Sequence, residues 1–457
     1  MQDSVRYLFV LGRNPDLSIV ELVSYFQTFQ ISFQINNLYE DVLDLNIDAQ
    51  FKPDESINNL AGTVKIALVH LSAPYDAIFE QLEQSNFYIE NEDKISYALD
   101  YHGKAFHKEE FQTFFKDKFK LYNQRAFLRN FPPHVLAKAI KDRIFIDLII
   151  LRESDTPSSK NSNQKNLNLK KNQLKNANLK NINQNSRQRG QFSKKKSTQI
   201  KSSPNKSGAD NIRSDAENII IARTVAVHDI DEEKKRYDKR PHVDETISTS
   251  TRIARILINL AGIKPGQTML DPFCGLGTVM QEALVIGIES YGSEINETRV
   301  KQCKANLDWL KSGYGIRTKY DVRKGDAKNV AVVYADLLDK LDSIVTEPEL
   351  GPFLKQLPDM KTATDIINKL QSIYRPLFKG AHQLLKKGGK FVMILPRIQT
   401  TNKKTKEIPY DFLISGTSLK LFNPTIGYPI GISQNIPLIY KEEWHKLERL
   451  IYIFEKK

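Results

Sequence analysis

The 457-residue sequence predicts an α/β protein whose carboxy-terminal half is a doubly wound, mostly parallel sheet. Three observations predict it. From Thr251 onward, short apolar runs alternate with helical patterns, as strands joined by crossover helices do. A turn bearing Gly275 and Gly277 separates one apolar run from the next helix. Two acids, Glu294 and Asp326, then follow at the ends of the next two runs.

The amino-terminal elements come first. Tyr7-Leu-Phe-Val-Leu11 reads as a strand, and Ser18 with Glu21 three residues later is a capping-box pattern that predicts a helix start at Ser18. A compact α/β piece closes through Gly62 to Val69. From Lys94 the pattern predicts strand Ile95–Leu99, helix Lys108–Leu121, strand Arg125–Leu128, helix Pro133–Lys141 and strand Ile144–Leu151. That succession in under about sixty residues predicts a small α/β layer. Asn218–Val225 reads as a further strand of the same sheet, so the stretch between is expected to be an insertion.

In the carboxy-terminal half, helix Arg252–Leu260 leads to strand Thr268–Asp271, helix Val279–Ile286, strand Ser290–Glu294 and helix Arg299–Lys311. Strand Asp342–Thr346, a long helix near Ala363–Leu385, strand Lys390–Pro396 and a closing strand Leu447–Phe454 complete it. The expected domains are 1–70, 90–225 and 237–457.

Charge narrows the reading of partners. The chain has 67 basic and 54 acidic residues, a net charge of +13. Thirteen of the bases lie between Thr156 and Ala209 with no acid among them, and the remainder is balanced. The whole excess therefore sits in one Asn-Lys-Gln-Ser-rich segment, expected to be a disordered insertion over 154–215. It serves either as an electrostatic arm for phosphates or as a tolerated loop insertion. No run approaches the length of a membrane helix. No charged and apolar leader opens the chain, and Cys274 and Cys303 are too few for a disulfide framework or a zinc site. The expectation is a cytoplasmic protein with no membrane association and no metal.

Chemistry concentrates in Asp271-Pro-Phe-Cys-Gly-Leu-Gly-Thr278, between a strand and a helix. Its glycines let backbone approach a ligand at the carboxyl edge of the sheet. Met280 stands where a dinucleotide fingerprint has its third glycine, and no Gly-Lys-Ser/Thr is present, which argues against a dehydrogenase and a P-loop. Glu294 is placed to accept from a ribose diol, and Asp326 to accept from an adenine amine. Together they suit an adenosine-bearing cofactor, although either acid alone is more often a solvated loop residue.

The octapeptide resembles the first motif of class I S-adenosylmethionine methyltransferases, in particular the RNA amine methylases. Tyr7-Leu-Phe-Val-Leu-Gly-Arg-Asn-Pro-Asp-Leu-Ser18 is similar to the opening of the archaeal THUMP-containing tRNA guanine-N2 methyltransferases. Ala98–Gly103 and Ile144–Leu151 resemble parts of a THUMP domain, and Arg240-Pro241 followed by Arg252–Leu260 resembles the entry to that family's catalytic domain. The resemblance covers nearly the whole chain outside the basic insertion. It implies a Rossmann-like class I methyltransferase domain preceded by an α/β THUMP-type RNA-binding region. It implies S-adenosyl-L-methionine as cofactor, lined by Asp271, Phe273, Gly275, Gly277, Thr278, Glu294 and Asp326. The implied substrate is a tRNA guanine. A partner subunit is left open.

Amine methylases of this kind carry Asp/Asn-Pro-Pro-Tyr/Phe after the fourth strand, where the acid or amide and a proline carbonyl orient the amine and the ring stacks on the base. Here the matching stretch is Thr346-Glu-Pro-Glu-Leu-Gly-Pro352. Glu347 and Pro348 are the expected catalytic pair. Glu349 replaces the second proline and Leu350 the ring, a loss of stacking worth about 1 to 3 kcal/mol. Phe353 offers a ring from another direction. The expected reaction is transfer to the exocyclic N2 amine of a tRNA guanosine. The alternatives are a catalytically degenerate tRNA-binding homologue, a DNA amine methyltransferase and a small-molecule methylase. Arg125, Arg129, Lys138, Lys141 and Arg143 are the expected phosphate contacts, each set against ordinary solvated surface charge.

Overall fold

The computed structural model describes residues 4–87, 94–103, 108–122, 125–129, 133–142, 145–153, 218–244, 249–429, 431–432, 434–441 and 446–457. The basic insertion and Arg143 lie outside the described residues.

Alternating apolar residues in the amino-terminal half build one eight-stranded sheet. Its strands are β1 (Ser4–Leu11), β2 (Phe33–Tyr39), β3 (Val42–Asp48), β4 (Thr63–Pro74), β5 (Lys94–His102), β6 (Arg125–Leu128), β7 (Phe145–Arg152) and β8 (Asn218–Val227). They lie in the order β2-β3-β1-β4-β8-β7-β5-β6. Helices α1 (Pro15–Phe29), α2 (Tyr75–Gln84), α3 (Lys108–Leu121) and α4 (Pro133–Lys141) cover it. The antiparallel pairing of β4 with β8, from Lys65↔Val227 to Pro74↔Asn218, runs one ladder through both amino-terminal units. Strands β7 and β8 also pair directly, and the Glu153 amide donates to the Asn218 carbonyl at 2.9 Å. The basic segment thus joins two neighbouring strands of one sheet.

The helix start differs from its sequence reading. Helix α1 begins at Pro15 after Asn14, and the Ser18 hydroxyl donates to the Asn14 carbonyl from inside the first turns. Proline at the first helical position needs no amide partner, so it takes over the role assigned to a capping box. Glu21 is freed for another task and is completely buried.

The second sheet is the doubly wound one. Its strands are β9 (Thr268–Asp271), β10 (Glu289–Glu294), β11 (Tyr320–Lys324), β12 (Leu341–Thr346), β13 (Leu385–Gln399), β14 (Thr405–Glu407), β15 (Leu419–Leu421), β16 (Leu438–Tyr440) and β17 (Leu447–Lys456). The order is β11-β10-β9-β12-β13-β17-β15, with β14 against β13 and β16 against β17. The first five run parallel, and β17 lies antiparallel to β13. Helices α5 (Ile230–Asp238), α6 (Thr251–Ala261), α7 (Thr278–Val285), α8 (Glu297–Tyr314) and α9 (Met360–Leu384) accompany it. The order reverses between β10-β9 and β9-β12, which opens a crevice beyond the carboxyl ends of these strands. No helix among the described residues is long and apolar enough to cross a membrane.

Helix α6 ties the two halves together. Its start is capped by the Ser250 hydroxyl, which accepts from the Ile253 amide, and its end by Gly262 at φ +64°. Ile253, Ile256, Leu257 and Leu260 pack under the second sheet and, in the same core, against Leu17, Val20 and Ala61 of the amino-terminal half. Glu21 accepts from the Ala61 amide (3.0 Å), the Gly62 amide (2.7 Å) and the Asn259 side chain of α6 (2.7 Å). Burial pushes its carboxyl above the ordinary range, and these three donors partly hold it down.

Candidate active site

The glycine turn leaves β9 at Asp271 and enters α7 at Thr278. Gly275 and Gly277 adopt φ of +52° and +89°, the region open to glycine. They differ in surroundings. A Cβ on Gly277 would meet the Cys303 sulfur of α8 at 2.8 Å, so that glycine seats the turn on the helix. A Cβ on Gly275 would meet only the Phe273 carbonyl, at 3.9 Å, so that glycine presents bare backbone to the crevice. Such a cradle suits close approach of a ligand.

Backbone hydrogen bonds chain the strand ends together. The Cys274 amide donates to the Ser293 carbonyl at 3.1 Å, which fastens the turn to the end of β10. The Gly325 amide donates to the Glu294 carbonyl at 3.0 Å, which brings the loop after β11 alongside. Asp271, Phe273, Gly275, Gly277, Glu294 and Asp326 are therefore placed along one edge of the sheet. Glu294 is 8% exposed, and its carboxylate accepts from the Asn296 amide. Asp326 accepts from the Lys328 amide at 2.9 Å and pairs with the Lys328 ammonium at 3.2 Å. The Thr278 hydroxyl is turned to another partner, since it accepts from the buried Arg240 guanidinium at 2.8 Å.

Asp271 lies beneath the turn. Its Oδ1 accepts from the Phe273 amide (3.1 Å) and from the Thr346 hydroxyl (2.6 Å) at the end of β12. Burial pushes its carboxyl up to about 7, against these hydrogen bonds, and the charges of Glu294 and Glu347 push the same way. The bond to Thr346 places the stretch beginning at Glu347 directly beside the glycine turn.

Glu347 is held. Its Oε1 accepts from Arg449 Nε of β17 at 2.8 Å, and both side chains are mostly buried. Pro348 is buried and Glu349 is exposed, while the Glu349 carbonyl accepts from the buried Tyr374 hydroxyl of α9. Leu350 packs against the core beneath α6, and Phe353 is 76% exposed. The nearby ring of Phe353 faces solvent.

Arg125, Arg129, Lys138 and Lys141 are all exposed. Arg125 begins the edge strand β6 and Arg129 follows it, while Lys138 and Lys141 lie in the last turn of α4. Sequence reasoning missed Thr346 and Arg449. The first has a local signal, a polar residue ending an apolar strand. The second has none, since its partner is 102 residues away. Among the described residues no group of His, Cys, Asp or Glu is arranged to hold a metal ion.

Residues 240–408 match the family described as the RMKL-like methyltransferase domain, and residues 66–305 match a DNA methylase family. The chain is 34% identical over 149 residues to the tRNA (guanine(10)-N2)-dimethyltransferase of Methanothermobacter thermautotrophicus, covering 33% of this chain and 39% of that one. It is 32% identical over 119 residues to the protein of the same name from Pyrococcus abyssi, covering 26% of this chain and 33% of that one. The match thus spans less than half the length of these curated relatives. The crystal structure of TrmN from Thermus thermophilus is 13% identical, with a TM-score of 0.49, covering 99% of this chain and 100% of that one. The Rossmann-like sheet, the glycine turn and the match over residues 240–408 mark the carboxy-terminal half as a class I methyltransferase domain, similar over part of its length to enzymes named as tRNA guanine-N2 methyltransferases.

Proposed function

We propose that this chain transfers a methyl group from S-adenosyl-L-methionine to the exocyclic N2 amine of a guanosine in tRNA, in the cytoplasm. The observation that carries the reading is the Asp271–Thr346 hydrogen bond, which sets the amine-orienting stretch at Glu347 beside the cofactor turn. The open backbone at Gly275 and the carboxylates of Glu294 and Asp326 fit an adenosyl group. Asp271, Phe273, Gly277 and Thr278 shape that seat. When bound, the sulfonium of the donor supplies an electrophilic methyl group. The protein's own work is alignment: Glu347 and the Pro348 carbonyl accept from the target amine and aim its lone pair, with no metal required. The region 90–225 is read as a THUMP-type RNA-binding unit, with Arg125, Arg129, Lys138 and Lys141 toward phosphates. Arg143 completes that set from outside the described residues.

Two second readings each have an observation in their favour. The DNA methylase match over residues 66–305 favours a DNA amine as acceptor. The packing of the partly buried Leu350 against the core and the outward Phe353 favour a protein that binds tRNA without transfer. One assay separates all three. Purified protein is incubated with labelled donor and either tRNA or DNA, and the nucleosides are resolved by mass spectrometry. N2-methylguanosine from tRNA is the expected product. Tight tRNA binding with no label incorporated would end the enzymatic reading.

A further inference from the structure

The geometry points to Arg449 as a positioning residue for methyl transfer, acting through Glu347; this rests on the reading above. Glutamate in place of a shorter acid adds one rotatable bond between backbone and carboxylate, and with it a wider arc of positions for the accepting oxygen. Left loose, that arc would scatter the amine it is meant to aim. Arg449 removes the freedom. Its Nε donates to Oε1 at 2.8 Å, with side-chain exposures of 16% for the arginine and 11% for the glutamate.

Arg449 is itself fixed from three sides. It stands opposite Pro396 in the β13–β17 ladder and opposite Tyr440 in β16, and its guanidinium lies over the Tyr440 ring at 5.8 Å. The preceding residue, Glu448, accepts from the Gln399 side chain at 2.9 Å and pairs with Arg397 and Lys441. The antiparallel end of the sheet therefore presents a rigid guanidinium to the carboxyl end of β12. One carboxylate oxygen is committed to the arginine, and the other is left to accept from the substrate amine. The longer acid and the arginine form a matched pair: either one without the other gives a misplaced acceptor.

Four proteins decide this: wild type, Arg449→Met, Glu347→Asp and the double variant. Each is assayed with tRNA and labelled donor, with donor affinity and thermal unfolding measured alongside. Arg449→Met is expected to lower kcat about tenfold with donor affinity unchanged, and Glu347→Asp to lower it comparably, since the shorter acid loses the arginine. The double variant is expected to be no worse than the poorer single one. Arg449→Lys keeps the charge without the fixed fork and should recover part of the rate. Multiplied losses in the double variant, or an Arg449→Met enzyme within about twofold of wild type, would overturn the pairing. A parallel collapse of donor affinity or folding in both arginine variants would also overturn it, in favour of a structural role. Absence of transfer by the wild type itself refutes the parent reading, and the pairing falls with it.

Discussion

At the scale of single residues, two glycines two positions apart have different work, and substitution separates them. Gly277→Ala drives a methyl into the Cys303 sulfur at φ +89°, so it is expected to destabilise the fold by about 2 kcal/mol or more. Gly275→Ala meets only the Phe273 carbonyl, at 3.9 Å, and a φ of +52° that costs about 1 kcal/mol, yet its methyl occupies the cradle. It should keep most of its stability while donor affinity, read by calorimetry, falls about tenfold or more. Equal effects of the two on melting temperature would refute this division. Asp271 carries a second expectation. Its folded value of about 7 lies above the ordinary 3.8, so the folded state binds more protons than the unfolded one between those values. Unliganded stability should therefore fall as pH rises from about 4 to about 7, with no further loss from this group above that window. Asp271→Asn keeps an acceptor for Thr346 and the Phe273 amide and removes the proton. Denaturation midpoints that decline equally with pH in both proteins would exclude Asp271 as the source.

At the scale of elements, what was legible depended on whether the signal was local. Strands β9 and β12 announced themselves by short apolar stretches, and the glycine turn and the Ser-Tyr-Gly-Ser strand β10 by their places between helical patterns. The edge acids were legible for the same reason. Short strands such as β14, β15 and β16, of three residues each, carry no periodicity to read. The Arg449–Glu347 pair depends on β17 returning beside β13, a tertiary event with no sequence spacing behind it. Glu21 is the instructive misreading. Its distance from Ser18 suits a local cap, but Pro15 already starts the helix, and the carboxylate serves α6 instead. Glu21→Ala would strand the Ala61 and Gly62 amides and the Asn259 side chain in a dry interface. Chemical denaturation should show a loss of about 3 kcal/mol, with Glu21→Gln losing less because it keeps an acceptor. A change under about 0.5 kcal/mol in the alanine variant would mean that water or another group takes over those donors.

At the scale of the whole molecule, the two sheets are coupled through one helix face, and that coupling is where fold becomes function. On the proposed function, a tRNA held by the amino-terminal half would reach the crevice correctly only if the two halves keep a fixed relation, since misalignment of reacting groups is costly in rate. Leu17 and Val20 of α1 share a continuous apolar core with Ile253 and Leu257 of α6, and Arg252 of α6 reaches across to donate to the Ala61 carbonyl at 3.1 Å. Val20 is fully buried there, while Gly277 of the glycine turn packs on Cys303 of α8. Val20→Asp puts an unpaired carboxyl into this seam, a cost that protonation relieves only in part and parting the halves relieves fully. The wild type should unfold in one calorimetric transition and the variant in two. Donor affinity should be preserved in the variant, because the cofactor edge belongs entirely to the second sheet. Methyl transfer to tRNA should nevertheless fall about tenfold in kcat/KM if the amino-terminal half positions the RNA as proposed, because it loses its register with the crevice. A Lys52→Ala control on the exposed Lys52–Glu55 pair should change neither quantity. If Val20→Asp split the transition yet left tRNA turnover at the wild-type rate, the amino-terminal half would not be positioning the substrate, and its role would be confined to capturing it.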